Sequence, residues 1–439
     1  MTLTEKGTAV LERLERAGYE AYFVGGCVRD RLLGKDIHDV DLTTSAAPEE
    51  MRAVFDGLPV LDTGLRHGTL TVLVDHTPVE VTTYRTESGY SDGRHPDTVR
   101  FTRSLREDLQ RRDFTVNAMA FHPRTGLIDP FGGQRDLEQK CLRAVGDPDA
   151  RFTEDALRIL RALRFASTLG FLIEDETANA MRRQKDRMTL LSAERIANEL
   201  RRLVCGVNAG AVLCNGWDVL AVVLPFLAPM HGFDQHNEHH IFDVLTHTAA
   251  AMDAIAPAVR LRLAALFHDS GKPETFFLDA DGVGHFYGHA TVSARIAQEA
   301  LTALRFDKAT AAQVTRLVKL HDAPIEESRP AVRRKLNQLG ADGLFDLIAL
   351  QRADTLALAP QYRKRTAHFD TLTRIAKELL AENACFSVRD LAVNGNDLTA
   401  LGFRGAAVGS TLRELVRAVM DERVPNEQAA LLALAAALK

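Results

Sequence analysis

Val24-Gly25-Gly26-Cys27-Val28-Arg29-Asp30-Arg31-Leu32-Leu33-Gly34-Lys35-Asp36-Ile37-His38-Asp39-Val40-Asp41-Leu42 is the stretch around which this chain of 439 residues is organised. The apolar residues 21–24 run into a double glycine, a short helical pattern follows, and a strand is expected to carry Asp39 and Asp41. Gly25 and Gly26 let the backbone turn tightly and approach an anion, with the first amides of the next helix as donors. Asp39 and Asp41 stand two apart, so on a strand both carboxylates point to one face. Hard oxygen ligands in that arrangement suit Mg²⁺ held between protein and substrate phosphates. Asp-x-Asp alone would describe a solvated acidic strand. Coupled to Gly-Gly-x-Val-Arg-Asp, it points to phosphate and metal.

The stretch resembles the signature of the class II tRNA nucleotidyltransferases and bacterial poly(A) polymerases. That resemblance implies an α+β chain: a polymerase-β-like nucleotidyltransferase head with a small mixed sheet and helices, then an all-helical neck, an HD domain and a helical tail. The boundaries it suggests are residues 1–140, 141–228, 229–360 and 361–439. It also implies catalytic, Mg²⁺-binding roles for Asp39 and Asp41, and nucleotide contacts at Gly26 and Arg29.

Length alone asks for more than one core, since single cores stop growing near 250–300 residues. The chain is 46% hydrophobic and 26% charged, an ordinary balance for a soluble protein. Five cysteines without Cys-x-x-Cys spacing read as reduced thiols of a cytoplasmic protein. The first 17 residues form an amphipathic charged pattern with no apolar signal region. The apolar run 219–230 is short and broken by Pro225 and Pro229, so no membrane span is expected. The net charge of −5 does not advertise nucleic-acid binding, but residues 100–202 hold 20 Lys and Arg against 16 Asp and Glu. That surplus is consistent with an RNA-facing segment.

Beyond Asp41, residues 48–55 read as a helix opened by Pro48, and residues 69–75 and 77–85 alternate as strands joined at Asp75-His76-Thr77-Pro78. Glu80 falls on the face opposite Val79 and Val81, as a third active-site carboxylate or as a solvated strand residue. Asp62-Thr63-Gly64-Leu65-Arg66-His67-Gly68-Thr69 resembles the CCA-adding pattern, not the Gly-Arg-Arg-Phe type segment of the poly(A) polymerases. Residues 86–98 have loop chemistry throughout, where the resemblance implies a flexible loop. Arg111-Arg112-Asp113-Phe114-Thr115-Val116-Asn117-Ala118 is similar to the family's ribose- and triphosphate-binding motif. Arg112 is the nucleotide contact it implies, because guanidinium forks suit phosphate oxygens. Asp129-Pro130-Phe131-Gly132-Gly133 reads as a turn closing the head.

Residues 151–169 predict one helix with Thr153 as its N-cap. Asp155 and Arg158, three apart, would be neighbours on one face, with Arg161 and Arg164 continuing the spacing. A surface salt-bridge ladder is the plain reading. The resemblance implies that Glu154-Asp155-x-x-Arg158 reads the incoming base and that all four residues from Asp155 to Arg164 at this spacing contact nucleotide. Cytosine and adenine each present an exocyclic amine beside an unprotonated ring nitrogen, which a carboxylate and a guanidinium match. Uracil and guanine reverse that pattern. Residues 190–203 predict a further helix with Ser192 as N-cap, and no chemistry is assigned to it.

From Met230 histidines crowd the chain. His247, His268-Asp269 and a distant Asp354 form an ordered set that resembles the HD superfamily of metal-dependent phosphohydrolases. Imidazole with carboxylate suits Mn, Fe, Ni or Zn, and His289 and His321 would serve a second metal or contact phosphate. Residues 386–439 resemble the family's C-terminal RNA-binding module, with turns marked by Gly395 and Gly405.

The resemblance therefore implies a template-independent enzyme of the cytoplasm that adds CCA to tRNA from CTP and ATP, as a monomer or homodimer. Poly(A) or A-only addition is the alternative within the class. A nucleotide or cyclic-phosphate hydrolase with an RNA-binding head, and a non-catalytic RNA-binding protein, are the alternatives outside it.

Overall fold

A computed structural model describes residues 1–64, 68–88, 98–382 and 385–439. The chain divides into two compact units, Met1–Pro225 and Phe226–Lys439.

The first unit opens with α1 (Leu3–Arg16), started by a capping box. The Thr2 hydroxyl accepts from the Glu5 amide at 3.2 Å, and the Glu5 carboxylate accepts from the Thr2 amide at 2.7 Å. There follow β1 (Ala21–Val24), α2 (Gly26–Leu32), β2 (Asp41–Thr44), α3 (Pro48–Val54), β3 (Val60–Gly64), β4 (Thr69–Val74) and β5 (Thr77–Thr83). Then come β6 (Arg85–Ser88), β7 (Thr98–Phe101), α4 (Leu105–Gln110), β8 (Ala120–His122), β9 (Gly126–Ile128) and α5 (Gly133–Glu138). Seven strands make one sheet in the order β3-β4-β5-β2-β1-β8-β9. β2 and β5 run parallel and the other neighbours antiparallel, so the expected small mixed sheet is present. Asp75 and His76 turn β4 into β5 with φ of 47° and 61°, as a two-residue type I′ connection requires.

Two expectations for the head need correcting. β2 begins at Asp41, so Asp39 precedes the strand. Residues 86–88 and 98 are not loop: β6 and β7 pair antiparallel, with Thr86 opposite Arg100. Cross-strand pairing overrides local turn chemistry there. Residues 89–97 of that segment, and Leu65-Arg66-His67 of the stretch likened to the CCA-adding pattern, lie outside the described residues.

The rest of this unit is helical apart from one short parallel ladder, β10 (Cys141–Leu142) against β11 (Leu172–Ile173). Its helices are α6 (Pro148–Glu154), α7 (Leu157–Leu169), α8 (Asp175–Gln184), α9 (Ala193–Val204) and α10 (Ala209–Leu220). The single helix expected over 151–169 is two. Asp147 caps α6, accepting from the Asp149 amide at 3.0 Å, and Thr153 lies inside that helix. Asp155 is extended (φ −142°, ψ 108°) and its Oδ1 accepts from the Leu157 amide at 2.9 Å, which starts α7. Short polar side chains compete with the backbone in this way. Ser192 holds the expected position before α9 but makes no side-chain cap bond.

The second unit is built from α11 (Val244–Ala254), α12 (Val259–Phe267), α13 (Lys272–Thr275), α14 (His289–Ala303), α15 (Lys308–Leu320), α16 (Arg329–Ala357) and α17 (Thr366–Ala381). A two-stranded hairpin, β12 (Phe277–Leu278) with β13 (Gly284–His285), precedes α14. α16 is broken at Gly340, whose φ of 73° suits only a residue without Cβ. The last helices, α18 (Gly395–Ala400), α19 (Ala406–Met420) and α20 (Gln428–Ala437), close on an apolar cluster of their own that includes Leu398, Phe403, Leu415 and Leu431.

Candidate active site

Asp39 stands exposed on the extended lead-in to β2, with Val40 buried between it and Asp41. The alternation expected of a strand therefore survives although the strand starts later. β2 sets Asp41 in register with Glu80 of β5, and Glu80 is exposed between the buried Val79 and Val81. Burial, then Asp39, then Glu80 push the Asp41 carboxyl up to about 6, with Arg112 opposing them. Carboxylates gathered at one edge with so little compensating charge are a donor set for a hard divalent cation. Mg²⁺ fits these residues.

Gly25 turns β1 into α2 with φ of 72°, and a Cβ there would stand 3.1 Å from Arg112 Nη1. The bare backbone leaves Arg112 room beside the carboxylates. Arg112 Nη2 lies 3.6 Å from Asp108 Oδ2, and its buried Nε has no hydrogen-bond partner. Asp108, wholly buried, accepts from Thr43 at 3.1 Å and from Arg111 Nε and Nη2 at 3.0 and 2.8 Å. Burial pushes its carboxyl up, but Arg111 and Arg112 outweigh it and hold it below the usual range. Arg29 is committed within the wall. It donates to both oxygens of Asp30 at 2.9 and 2.8 Å and to Asn117 Oδ1 at 2.7 Å.

Asp113 anchors the floor. It accepts from the Phe114 amide at 2.8 Å, from Asn117 Nδ2 at 3.1 Å, and from Arg161 Nε at 2.8 Å and Nη2 at 2.6 Å. Burial works against its charge, yet Arg161 and the Asn117 amide bring its carboxyl down to about 2.

Asp155 and Arg158 face the same cleft; the Arg158 amide donates to the Asp155 carbonyl at 3.0 Å, but their side chains are not bonded to one another. Asp155 sits in the break between α6 and α7, so the one-face helical argument does not place it. Its Oδ1 caps α7, and its Oδ2 accepts from Arg195 Nη2 of α9 at 2.8 Å. Arg158 donates to Glu154 Oε2 at 2.5 Å and to the Arg111 carbonyl at 2.9 Å. Arg164 donates to Glu199 Oε2 at 2.6 Å and stacks over Phe165, 3.6 Å from the ring centre. Arg195 is the residue that the sequence reading missed. An arginine in an amphipathic helix carries no sign of a carboxylate partner forty positions away.

These groups line one cleft of about 730 Å³, from Gly25, Gly26, Arg29, Asp39 and Asp41 on one side to Asp155, Arg158, Arg161 and Arg164 on the other. That is room for a nucleoside triphosphate. Carboxylates stand at one wall, and Arg112 and the neck arginines line the remainder. The arrangement can hold a polyanion and a cation together.

The second unit gathers the other predicted set. His247 of α11, His268 and Asp269 after α12, and Asp354 of α16 bring one ligand atom each within 4.8 Å of one another. Asp269, His289 and His321 form a second such group. The Nδ1 atoms of His268, His289 and His321 bond the carbonyls of Ala265, Phe286 and Val318 at 2.7, 2.9 and 2.7 Å. That leaves Nε2 inward, the orientation ligand histidines take. The Nε2 atoms of His247 and His268 lie 3.4 Å apart, and those of His289 and His321 3.2 Å apart. Such pairs fit a shared cation. Among the described residues, no group of three or more convergent His, Cys, Asp or Glu ligands lies in the first unit.

Residues 21–143 match the family described as Poly A polymerase head domain. Residues 170–229 match the probable RNA and SrmB-binding site of polymerase A, and residues 286–435 the putative tRNA nucleotidyltransferase domain 2. The CCA-adding enzyme of Limosilactobacillus reuteri (strain DSM 20016) is 45% identical over 252 residues, 55% of this chain and 62% of the relative. That alignment thus spans less than two thirds of the relative's length. The CCA-adding enzyme of Levilactobacillus brevis is 36% identical over 98% of this chain and 96% of its own. The crystal structure of the Bacillus stearothermophilus CCA-adding enzyme in complex with CTP is 30% identical, covers 99% of this chain and 97% of its own, and superposes with a TM-score of 0.75. A polymerase-type head, a cleft carrying paired aspartates and clustered arginines, and likeness along almost the whole length agree: the chain belongs to the family of CCA-adding enzymes.

Proposed function

We propose that this chain is a tRNA nucleotidyltransferase that adds CCA to tRNA 3′ ends from CTP and ATP. The observation that carries it is the single cleft shared by Asp39 and Asp41 with Asp155 and Arg158, which supports one nucleotide meeting metal-binding carboxylates and a base-matching pair together. The tRNA 3′ oxygen attacks the α-phosphate, a new phosphodiester forms, and the bond to pyrophosphate breaks. Mg²⁺ on Asp39 and Asp41 would lower the pKa of the attacking hydroxyl and offset charge on the leaving pyrophosphate. Arg112 neutralises the triphosphate, with Gly26 giving it close approach to the backbone. Asp155 accepts from the amine of cytosine or adenine, and Arg158 donates to the ring nitrogen. Arg161 and Arg164, anchored by Asp113 and Glu199, keep the neck wall positive. Arg29 supports that wall through Asn117.

The division into head 1–140, neck 141–228, metal-binding helical domain 229–360 and RNA-binding tail 361–439 accompanies this reading. The separate apolar cluster from Cys385 to Ala435 supports a C-terminal module of its own within that tail. The convergent histidines support a metal centre of the HD type, on His247, His268, Asp269 and Asp354, for Mn, Ni, Fe or Zn. Such a protein works in the cytoplasm, as a monomer or homodimer, where its tRNA and triphosphates are. No helix among the described residues is long and apolar enough to cross a membrane.

The test is a tRNA lacking its 3′ end, given one triphosphate at a time and sized on a sequencing gel. CTP alone should add two residues and ATP one more only after them. A long adenosine tract from ATP alone would assign the chain to poly(A) addition instead.

A further inference from the structure

Phe165 of α7 is only 5% exposed, yet its ring lines the head cleft. Three guanidinium carbons lie over that ring: Arg164 at 3.6 Å from its centre, Arg29 at 5.2 Å and Arg161 at 5.4 Å. The wholly buried Phe114 ring meets it edge-on, with centroids 5.8 Å apart and planes at 80°, and so holds its orientation. Arg161 reaches the ring from one turn back along α7, an i,i+4 neighbour. Residues one apart on a helix do not face each other, so Arg164 folds back along α7 to lie over the ring. Arg29 comes from α2, on the opposite side of the cleft.

Like charges gathered this closely repel one another. Arg164 registers it: burial holds its guanidinium below the ordinary value, Glu199 opposes the shift, and the charge of Arg161 adds to it. Carboxylates answer the three charges separately. Asp30 takes Arg29, Asp113 takes Arg161 and Glu199 takes Arg164. The Phe165 ring is shared by all three. Its face is negative, and a cation over a desolvated ring is held more firmly than one over an exposed ring. Resting on the nucleotidyltransferase reading above, we infer that Phe165 is a positioning residue for the nucleotide. Its π face ties Arg29, beside the Gly25-Gly26 turn, to Arg161 and Arg164 across the cleft, and so sets the span that a triphosphate and its base must bridge. Asp155 and Arg158 take their bonds elsewhere, on Arg195, Glu154 and the Arg111 carbonyl. The ring therefore governs how tightly a nucleotide is held and not which base is chosen.

The experiment uses the full chain with phenylalanine or its mono-, tri- or pentafluoro analogue at position 165, together with Phe165→Tyr and Phe165→Leu. Fluorine draws electron density from the ring face and weakens, then reverses, its quadrupole, while the shape of the ring barely changes. Equilibrium binding of CTP and of ATP is measured across the series, and beside it KM and kcat for addition to a truncated tRNA. Both triphosphates should weaken together, step by step with fluorination, reaching about ten-fold at the pentafluoro ring, the size of one desolvated cation–π contact. The KM for CTP should rise likewise while kcat and the KM for tRNA hold, as for binding shared by ground and transition states. The preference for CTP over UTP should not move. Phe165→Tyr keeps the ring face and should bind as wild type, whereas Phe165→Leu should match the pentafluoro ring. A flat fluorinated series overturns the inference even where Phe165→Leu is impaired, because lost packing would then explain the defect. An altered preference for CTP over UTP overturns it too, since the ring would then belong to the base-reading groups. Failure of the wild type to extend tRNA would strike the nucleotidyltransferase reading instead, and the binding series would still decide the ring.

Discussion

Asp113 illustrates how one buried carboxylate can set the charge of a whole wall. Its folded carboxyl titrates near 2 against an ordinary 3.8, so the folded state holds the proton less tightly than the unfolded chain. The resulting stabilisation is complete above pH 3.8 and is lost as pH falls through 2. At about 1.4 kcal/mol per unit, it amounts to about 2 kcal/mol. Asp113→Asn should therefore lower unfolding stability by about that much at pH 7, and urea melts at pH 3 should show the gap roughly halved. A gap independent of pH would mean that the lost hydrogen bonds, not the charge, carry the effect. For the reacting end of the cleft, Asp39→Asn or Asp41→Asn keeps shape and removes a charge for Mg²⁺. A bound metal supplies several kcal/mol of transition-state stabilisation, so CTP incorporation should fall about a thousand-fold. Near-normal incorporation in either variant would refute the metal assignment.

At the scale of elements, the break between α6 and α7 matters most. Periodicity over 151–169 is helical throughout, and nothing in it marks Asp155 as extended. The break comes from the Asp155 carboxylate taking the Leu157 amide, a local competition that an apolar pattern cannot register. Glycine-marked turns and capped helices were legible because their signals are local: Gly25, the Asp75-His76 turn, and the helix opened by Pro48. Partners across the fold, such as Arg195 on Asp155 or Glu199 under Arg164, were not. The second role of Asp155 sharpens the test of base reading. Asp155→Ala removes both cap and acceptor. It should cost about 1 kcal/mol of stability and raise UTP or GTP use about ten-fold relative to CTP and ATP, from roughly 1–3 kcal/mol per bidentate contact. Asp155→Asn, a competent cap that gives up the bond to Arg195, should keep the part of the stability that the cap supplies and still lose selectivity. Competition between CTP and UTP on a truncated tRNA reads the ratio. Unchanged selectivity in both variants would end the idea that protein side chains serve as the template.

Over the whole molecule, two compact units carry two chemically different sites. The head cleft has paired aspartates and guanidiniums, a setting for a hard cation and a polyanion. The second centre pairs imidazoles with carboxylates, a setting for a softer transition metal. Both sets were legible as residues, because Asp-x-Asp after a double glycine and His-Asp with distant partners are unusual combinations. That His289 and His321 share Asp269 with the other group was not, since three helices had to be folded to show it. If each site works through its own ligands, a change at one should leave the other alone. His268→Ala should abolish transition-metal binding at the second centre, read by equilibrium dialysis with Mn²⁺ or Ni²⁺. CCA addition should stay within about two-fold of wild type, as expected for independent sites. Asp41→Asn should do the reverse, stopping nucleotide addition while the histidine centre still takes up its metal. Loss of nucleotide addition by a folded His268→Ala protein would show that the two sites are coupled, and would give the second unit a part in tRNA maturation that its own ligands do not explain.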